Sequence, residues 1–289
     1  MNLTRDALRH RAFRGALRMG QWASLPTAGS RSVPDFLLMG GQRCGTTSLY
    51  RYLTQHEGIS FPRLTKGVHY FDEESHRSGL WYRSNFPLDA VRTRASERLG
   101  HPVVVGEACP YYLFHPKVVE RIQAVMPAAR LIAVLRDPIA RAWSGYQHER
   151  RRGYEHLTFE EALAAEPERL AGAEEVLRHR GGRHFSHQHH SYVARGQYAD
   201  QLRRLWDAFP REQTLVLYSA DLERDPDATV AHIHRFLGIP VQPTDTTRRW
   251  NETSKEEVPP ALHRRLAAAF AASDEWLIEH LAQRPPWVG

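Results

Sequence analysis

"FLLMGGQRCGTTSLYRYL", residues 36–53, decides how the chain is read. An apolar run stops at Gly40 and Gly41, and after Gly45 a helix-like stretch begins. A strand, a glycine-containing turn and a helix N-terminus hold anions, because unpaired backbone N–H groups and the helix dipole point the same way. The spacing is nearly that of the phosphate loop Gly-x-x-x-x-Gly-Lys-[Ser/Thr]. The lysine position, however, is Thr46, followed by Thr47 and Ser48, and the loop's cation is Arg43, ahead of Cys44 and Gly45. Two readings stay open from this stretch alone: a loop for a different anion, or a structural turn.

Outward from the loop, short apolar runs alternate with helical patterns. Residues 102–107 (PVVVGE), 130–135 (RLIAVL) and 213–219 (QTLVLYS) predict strands. Helices are expected over 46–56, over 117–126, from Pro138, over 226–237 with Gly238 as the stop, and from Pro260 to about Leu281. Strands alternating with helices argue for an α/β fold of three layers, with a central, mostly parallel sheet covered on both faces. No repeat or linker divides the chain. Residues 1–33 read as a basic lead-in and 34–289 as a single domain. Within it, residues 166–190 are charged, Gly-rich and His-rich, and predict a surface insertion or lid.

At 289 residues and 42% hydrophobic content the chain can bury a substantial core, which excludes wholesale disorder. The net charge of +6 is carried almost wholly by arginine, since only Lys66, Lys117 and Lys255 are lysines. Such a balance suits an anionic partner without naming one, and nucleic acid is not an expected partner. Two cysteines build no disulfide framework, so a reduced, cytoplasmic setting is expected. The arginine-studded first 25 residues never become the apolar run of a membrane span, although they could form a basic helix lying on a membrane surface. No oligomeric state is legible.

Four blocks give the loop a context. "GGQRCGTTSL" resembles the 5′-phosphosulfate loop of sulfotransferases that use 3′-phosphoadenosine 5′-phosphosulfate (PAPS). "RLIAVLRDPIARAWSGYQH" (130–148) resembles their 3′-phosphate motif, with a Ser eight residues after the Arg. "HYFDEE" and "GEACPYYLFHP" resemble the corresponding regions of the heparan sulfate type, in the family's order. The resemblance implies a P-loop NTPase-like fold and metal-free transfer of a sulfuryl group from PAPS to a hydroxyl or amine, leaving adenosine 3′,5′-bisphosphate. The acceptor it implies is a carbohydrate, a lipid or a small molecule. It assigns Arg43, Cys44, Gly45, Thr46, Thr47 and Ser48 to the 5′-phosphosulfate, and Arg136 and Ser144 to the 3′-phosphate. Ser254 and Lys255 are candidates for a loop closing over the nucleotide, and Val68, His69, Tyr70, Tyr111 and Tyr112 for contacts to the acceptor. A P-loop kinase would want Lys at position 46 and an acidic metal ligand ending a strand.

One family position fails. The glutamate that lies two residues before the histidine of the third block, and takes the acceptor's proton, is Gly67 here. Three side chains could take over. His69 has an ordinary pKa suited to base catalysis, Asp72 could orient it, and Glu107 is the rival base. Lys66 could steady the sulfuryl or bridging oxygen. Alternatively the chain binds PAPS without turning it over. The histidines at 184, 187, 189 and 190 lack distinctive metal-ligand spacing, and no metal is expected.

Overall fold

In the computed structural model, which describes residues 23–62, 65–248 and 258–288, five strands form one sheet. They are β1 (Phe36–Gly40), β2 (Ile59–Ser60), β3 (Val104–Ala108), β4 (Arg130–Leu135) and β5 (Thr214–Tyr218), in the order β2-β3-β1-β4-β5. Every pairing is parallel, with Leu37 level with Glu107 on one side and Leu131 on the other. The two-residue β2 went unpredicted because a strand that short has no periodicity to read.

Helices cover both faces. Because side chains alternate along a strand, Leu37, Met39, Leu131 and Ala133 point to one side, against α3 (Val118–Val125), α7 (Tyr198–Ala208) and α9 (Pro260–His280). Phe36, Leu38, Ile132 and Val134 point to the other, against α1 (Thr46–Leu53) and α8 (Pro226–Leu237). Each buried Leu or Ile contributes about 1.5–3 kcal/mol relative to exposure, which is what holds the layers together. A third cluster joins α4 (Pro138–Arg151), α5 (Phe159–Leu170) and α9 through Tyr146, Phe159 and Phe270.

The chain joins the fold before Pro34. Residues Leu25–Ser30 form a 3-10 turn, Arg31 bridges to Leu88, and the Ser32 hydroxyl donates at 2.6 Å to Asp89, the first residue of α2 (Asp89–Leu99). Residues 1–22, including most of the expected lead-in, lie outside the described residues, as do Ser254 and Lys255. Among the described residues no helix is long and apolar enough to cross a membrane.

The expected insertion is built rather than loose. It contains the end of α5, a short helix Ala173–Arg178 and α6 (Phe185–His189), with Leu177 and His187 buried. Its polar residues bond to the rest of the domain, so hydrophobic periodicity could not reveal it. The Arg180 Nε donates to the Ser75 carbonyl at 2.7 Å, and the Gln188 amide donates to Glu73 at 2.8 Å.

Candidate active site

The loops after β1, β3 and β4 meet at the C-terminal edge of the sheet, where the strand order switches sides. Gly45 caps α1 with φ +87° and has no side chain to bond the helix end, so the first-turn N–H groups face the loop. Arg43 also adopts a left-handed φ of +73°, a conformation costing about 1–2 kcal/mol for a residue with a Cβ. That turn aims its Nε at the Ser144 hydroxyl, 3.0 Å away on α4. Arg136, at the end of β4, donates from Nη1 to the Arg43 carbonyl at 3.0 Å. The residues expected at the two phosphates are thus bound to one another, although they are far apart in the chain. Cys44 is buried and turned toward the Tyr198 hydroxyl at 3.9 Å, so its side chain lies behind the loop; Ser48 is buried on α1.

The lysine absent from position 46 arrives from elsewhere. Lys66 brings its Nζ to 3.4 Å from Thr46 Oγ1 and 3.3 Å from Thr47 Oγ1. Burial pushes its pKa down to about 8. Arg43 is likewise lowered, by burial first and then by Arg151 and Arg136. Mutually repelling, partly desolvated cations around a helix N-terminus are poised for a multiply charged anion. A cavity of about 190 Å³ opens there, lined by Gln42, Arg43, Gly45, Thr46, Thr47, Pro110 and His148. None of these side chains is acidic. His148, which sequence reasoning missed, stands four residues after Ser144 and therefore one turn on along the same face of α4; that spacing was its available signal. Burial, with Arg43 and Arg152, holds its pKa below the ordinary value against the pull of Glu149.

Beside the cavity, Gly67 packs so closely on β3 that a Cβ would stand 2.8 Å from the Ala108 carbonyl oxygen. Position 67 therefore excludes a glutamate on this backbone. The next residues hang on Glu107, whose Oε1 accepts the N–H groups of Val68 (2.7 Å) and His69 (3.3 Å) and the Tyr112 hydroxyl (2.8 Å). Its Oε2 accepts from Tyr82 at 2.7 Å. Burial raises the Glu107 pKa although these donors oppose the rise. With four donors and no exposed surface, Glu107 anchors this turn of the chain. Val68, Tyr70 and Tyr112, expected at the acceptor, are also buried, with Tyr70 stacked on Tyr82 at 4.5 Å. Tyr111 is half-buried and its hydroxyl lies 2.7 Å from His187 Nδ1.

His69 takes a left-handed φ of +59°, and its Nδ1 lies 2.9 Å from Asp72 Oδ2 and 3.3 Å from Cys109 Sγ. Its surroundings oppose protonation although the ring is 41% exposed; the Cys109 sulfur and the Asp72 carboxylate outweigh them and raise the pKa well above the ordinary value. Burial pushes the Cys109 thiol up to about 12, so the lasting negative partner is Asp72. A histidine with an ordinary pKa, as expected from sequence, is not what this environment makes. The four histidines of the insertion go separate ways: His184 caps α6, His187 meets Tyr111, His189 meets Glu149 at 3.2 Å, and His190 bonds to Ser186 and the Tyr154 carbonyl.

A parallel sheet between two helical layers, with a phosphate-type loop after β1 and an arginine after β4, is a P-loop-like α/β arrangement suited to holding an anion. More particularly, the chain belongs to the sulfotransferase domain family, whose model matches residues 33–259. A sulfotransferase from Alicyclobacillus acidocaldarius is 31% identical, with a TM-score of 0.65 over 86% of this chain and 95% of that one. The bifunctional heparan sulfate N-deacetylase/N-sulfotransferase of Drosophila melanogaster is 28% identical over 219 residues, 72% of this chain and 20% of its own length. Its human counterpart 3 is 28% identical over 217 residues, 72% of this chain and 22% of its own. The chain thus spans about a fifth of the length of these curated relatives.

Proposed function

We propose that the chain transfers a sulfuryl group from PAPS, that the cavity over α1 grips this donor from both ends, and that transfer runs to a hydroxyl or amine of a carbohydrate, lipid or small-molecule acceptor. The observation that carries this reading is the convergence of Arg43, Arg136, Ser144 and Lys66 on one helix N-terminus. Arg43, Thr46 and Thr47 hold the 5′-phosphosulfate, and Arg136 with Ser144 holds the 3′-phosphate. Lys66 neutralises charge that develops on the transferring group and the leaving phosphate oxygen. The loop His69–Glu74 and the docked segment 173–190 form the acceptor's wall, joined by the Gln188 and Arg183 contacts to Glu73. The heparan sulfate relatives favour a saccharide acceptor.

His148 takes the acceptor's proton. It lines the cavity, whereas His69 and Glu107 do not, and its lowered pKa keeps it neutral at neutral pH. The test is transfer from labelled PAPS to an acceptor panel, with His148→Ala beside His69→Ala. We expect His148→Ala to lower kcat by about 10²–10⁴-fold while the affinity for adenosine 3′,5′-bisphosphate holds within about threefold. Full turnover in that variant sinks the assignment of the base, and failure of the wild type to bind the bisphosphate sinks the reading of the cavity.

A further inference from the structure

Among the described residues, one group of mixed soft and hard ligand atoms is drawn together: His69 Nδ1, Asp72 Oδ2 and Cys109 Sγ. Their separations are 2.9 Å from nitrogen to oxygen, 3.3 Å from sulfur to nitrogen and 3.6 Å from sulfur to oxygen. Around a tetrahedral Zn²⁺, with Zn–S of about 2.3 Å and Zn–N or Zn–O of about 2.0–2.1 Å, donor atoms stand roughly 3.3–3.6 Å apart. The triangle is therefore close to a ready-made face of such a site. Its supports are in place as well. Asp72 Oδ1 accepts the Glu73 N–H at 2.6 Å, leaving Oδ2 to point inward, and Glu107 fixes the main chain of His69 in its left-handed turn. Asp72 and Cys109 are buried, while the His69 ring is 41% exposed, so one side of the triangle opens to solvent for metal entry and a fourth, water ligand.

We propose that His69, Asp72 and Cys109 form a binding site for a Zn²⁺-class divalent cation, which acts as an inhibitor rather than a participant in sulfuryl transfer. On binding, the Cys109 thiol releases its proton to solvent and coordinates as thiolate, while the imidazole coordinates through Nδ1 with its proton on Nε2. Thiolate and carboxylate then supply two negative charges against the cation's two, so the buried site stays neutral overall. A sulfur, a nitrogen and an oxygen ligand with an open position suit Zn²⁺ and its spectroscopic stand-in Co²⁺ over Mg²⁺ or Ca²⁺. Inhibition follows because the metal immobilises His69 on the acceptor's wall. That consequence rests on the proposed function; the binding does not.

The experiment titrates the chelator-stripped full chain with Co²⁺, without PAPS or acceptor. We expect one equivalent to produce a near-ultraviolet sulfur-to-cobalt charge-transfer band and visible bands of tetrahedral intensity, both displaced by Zn²⁺. Cys109→Ser should lose the charge-transfer band, and Asp72→Asn should weaken binding by about 10–100-fold, each scored after far-ultraviolet circular dichroism shows a folded chain. Transfer by the wild type should be inhibited by Zn²⁺ and restored by chelator, and Cys109→Ser should resist that inhibition. Absence of the charge-transfer band in the wild type, or its persistence in Cys109→Ser, overturns the site. A normal band without inhibition overturns only the regulatory consequence.

Discussion

At the residue scale, the phosphate loop has not lost its lysine but receives it from the segment after β2. Gly67 makes this geometry work: without a Cβ, residues 66–67 lie flat on β3, and the Ala108 N–H donates to the Lys66 carbonyl at 3.1 Å. The Lys66 ammonium then reaches the two threonine hydroxyls. Its depressed pKa has a definite sign. Between about 8 and 10.5 the folded chain binds fewer protons at Lys66 than the unfolded chain, so its burial costs stability below about pH 8, and that cost fades as pH rises. Donor binding responds in the opposite direction, because only the ammonium attracts the phosphosulfate. Calorimetric affinity for adenosine 3′,5′-bisphosphate should be flat below about pH 8 and weaken above it by up to about tenfold per pH unit. Lys66→Met should bind about 10–100-fold more weakly at neutral pH and show no break near pH 8. A break that survives in Lys66→Met would assign the titration to another group.

At the scale of elements, β3 does more than pair with β1 and β2. Its Glu107 is the peg on which the loop 68–69 and the tyrosines 82 and 112 hang. Glu107→Ala strands four buried donors and should destabilise the chain by about 3–5 kcal/mol. Glu107→Gln separates anchor from base. The amide oxygen still accepts three of the donors and only Tyr82 must turn its hydroxyl, so a loss of about 1–2 kcal/mol is expected, with kcat within about tenfold of wild type. Denaturant melts beside turnover decide it: a folded, stable Glu107→Gln variant with turnover reduced by about 10³-fold would restore the carboxylate as a base. The elements themselves were largely legible. β4 and α8 fall on their predicted residues, β5 lies within one residue at each end, and α4 begins at the proline that suits a first turn. These are the elements whose apolar period or cap chemistry is local. The contacts of Glu107 and Lys66 were not legible because they are made to groups brought by other segments: Tyr82 and Tyr112 for one, Thr46 and Thr47 for the other. The place of His148 beside the cavity, hinted at only by its spacing from Ser144, shows once α4 is seen over the β1 loop.

On the scale of the whole molecule, the proposed donor half and the proposed acceptor half are built differently. The donor half is sheet-borne: its groups stand on loops whose strands are buried on both faces. The acceptor half is a loop (residues 69–77) and a helical segment (173–190) that meet through polar contacts, and Arg121 on α3 ties them together. Its Nη1 donates to the Phe71 carbonyl at 2.8 Å, and its Nη2 lies 3.1–3.3 Å from the carbonyls of Leu177, Arg178 and His179. One guanidinium therefore clamps the end of the helical segment to the loop that carries His69 and Asp72. Because the clamp touches no group around the phosphate loop, its loss should separate the two halves functionally. Arg121→Ala should cost about 1–3 kcal/mol of stability and raise the acceptor KM by about tenfold, leaving affinity for adenosine 3′,5′-bisphosphate unchanged. Amide hydrogen exchange should quicken together in residues 69–77 and 173–190 while β1 and β4 keep their protection. An equal loss of affinity for donor and acceptor would mean that the halves fold as one cooperative unit, and the acceptor wall could not be tuned independently of the phosphate grip.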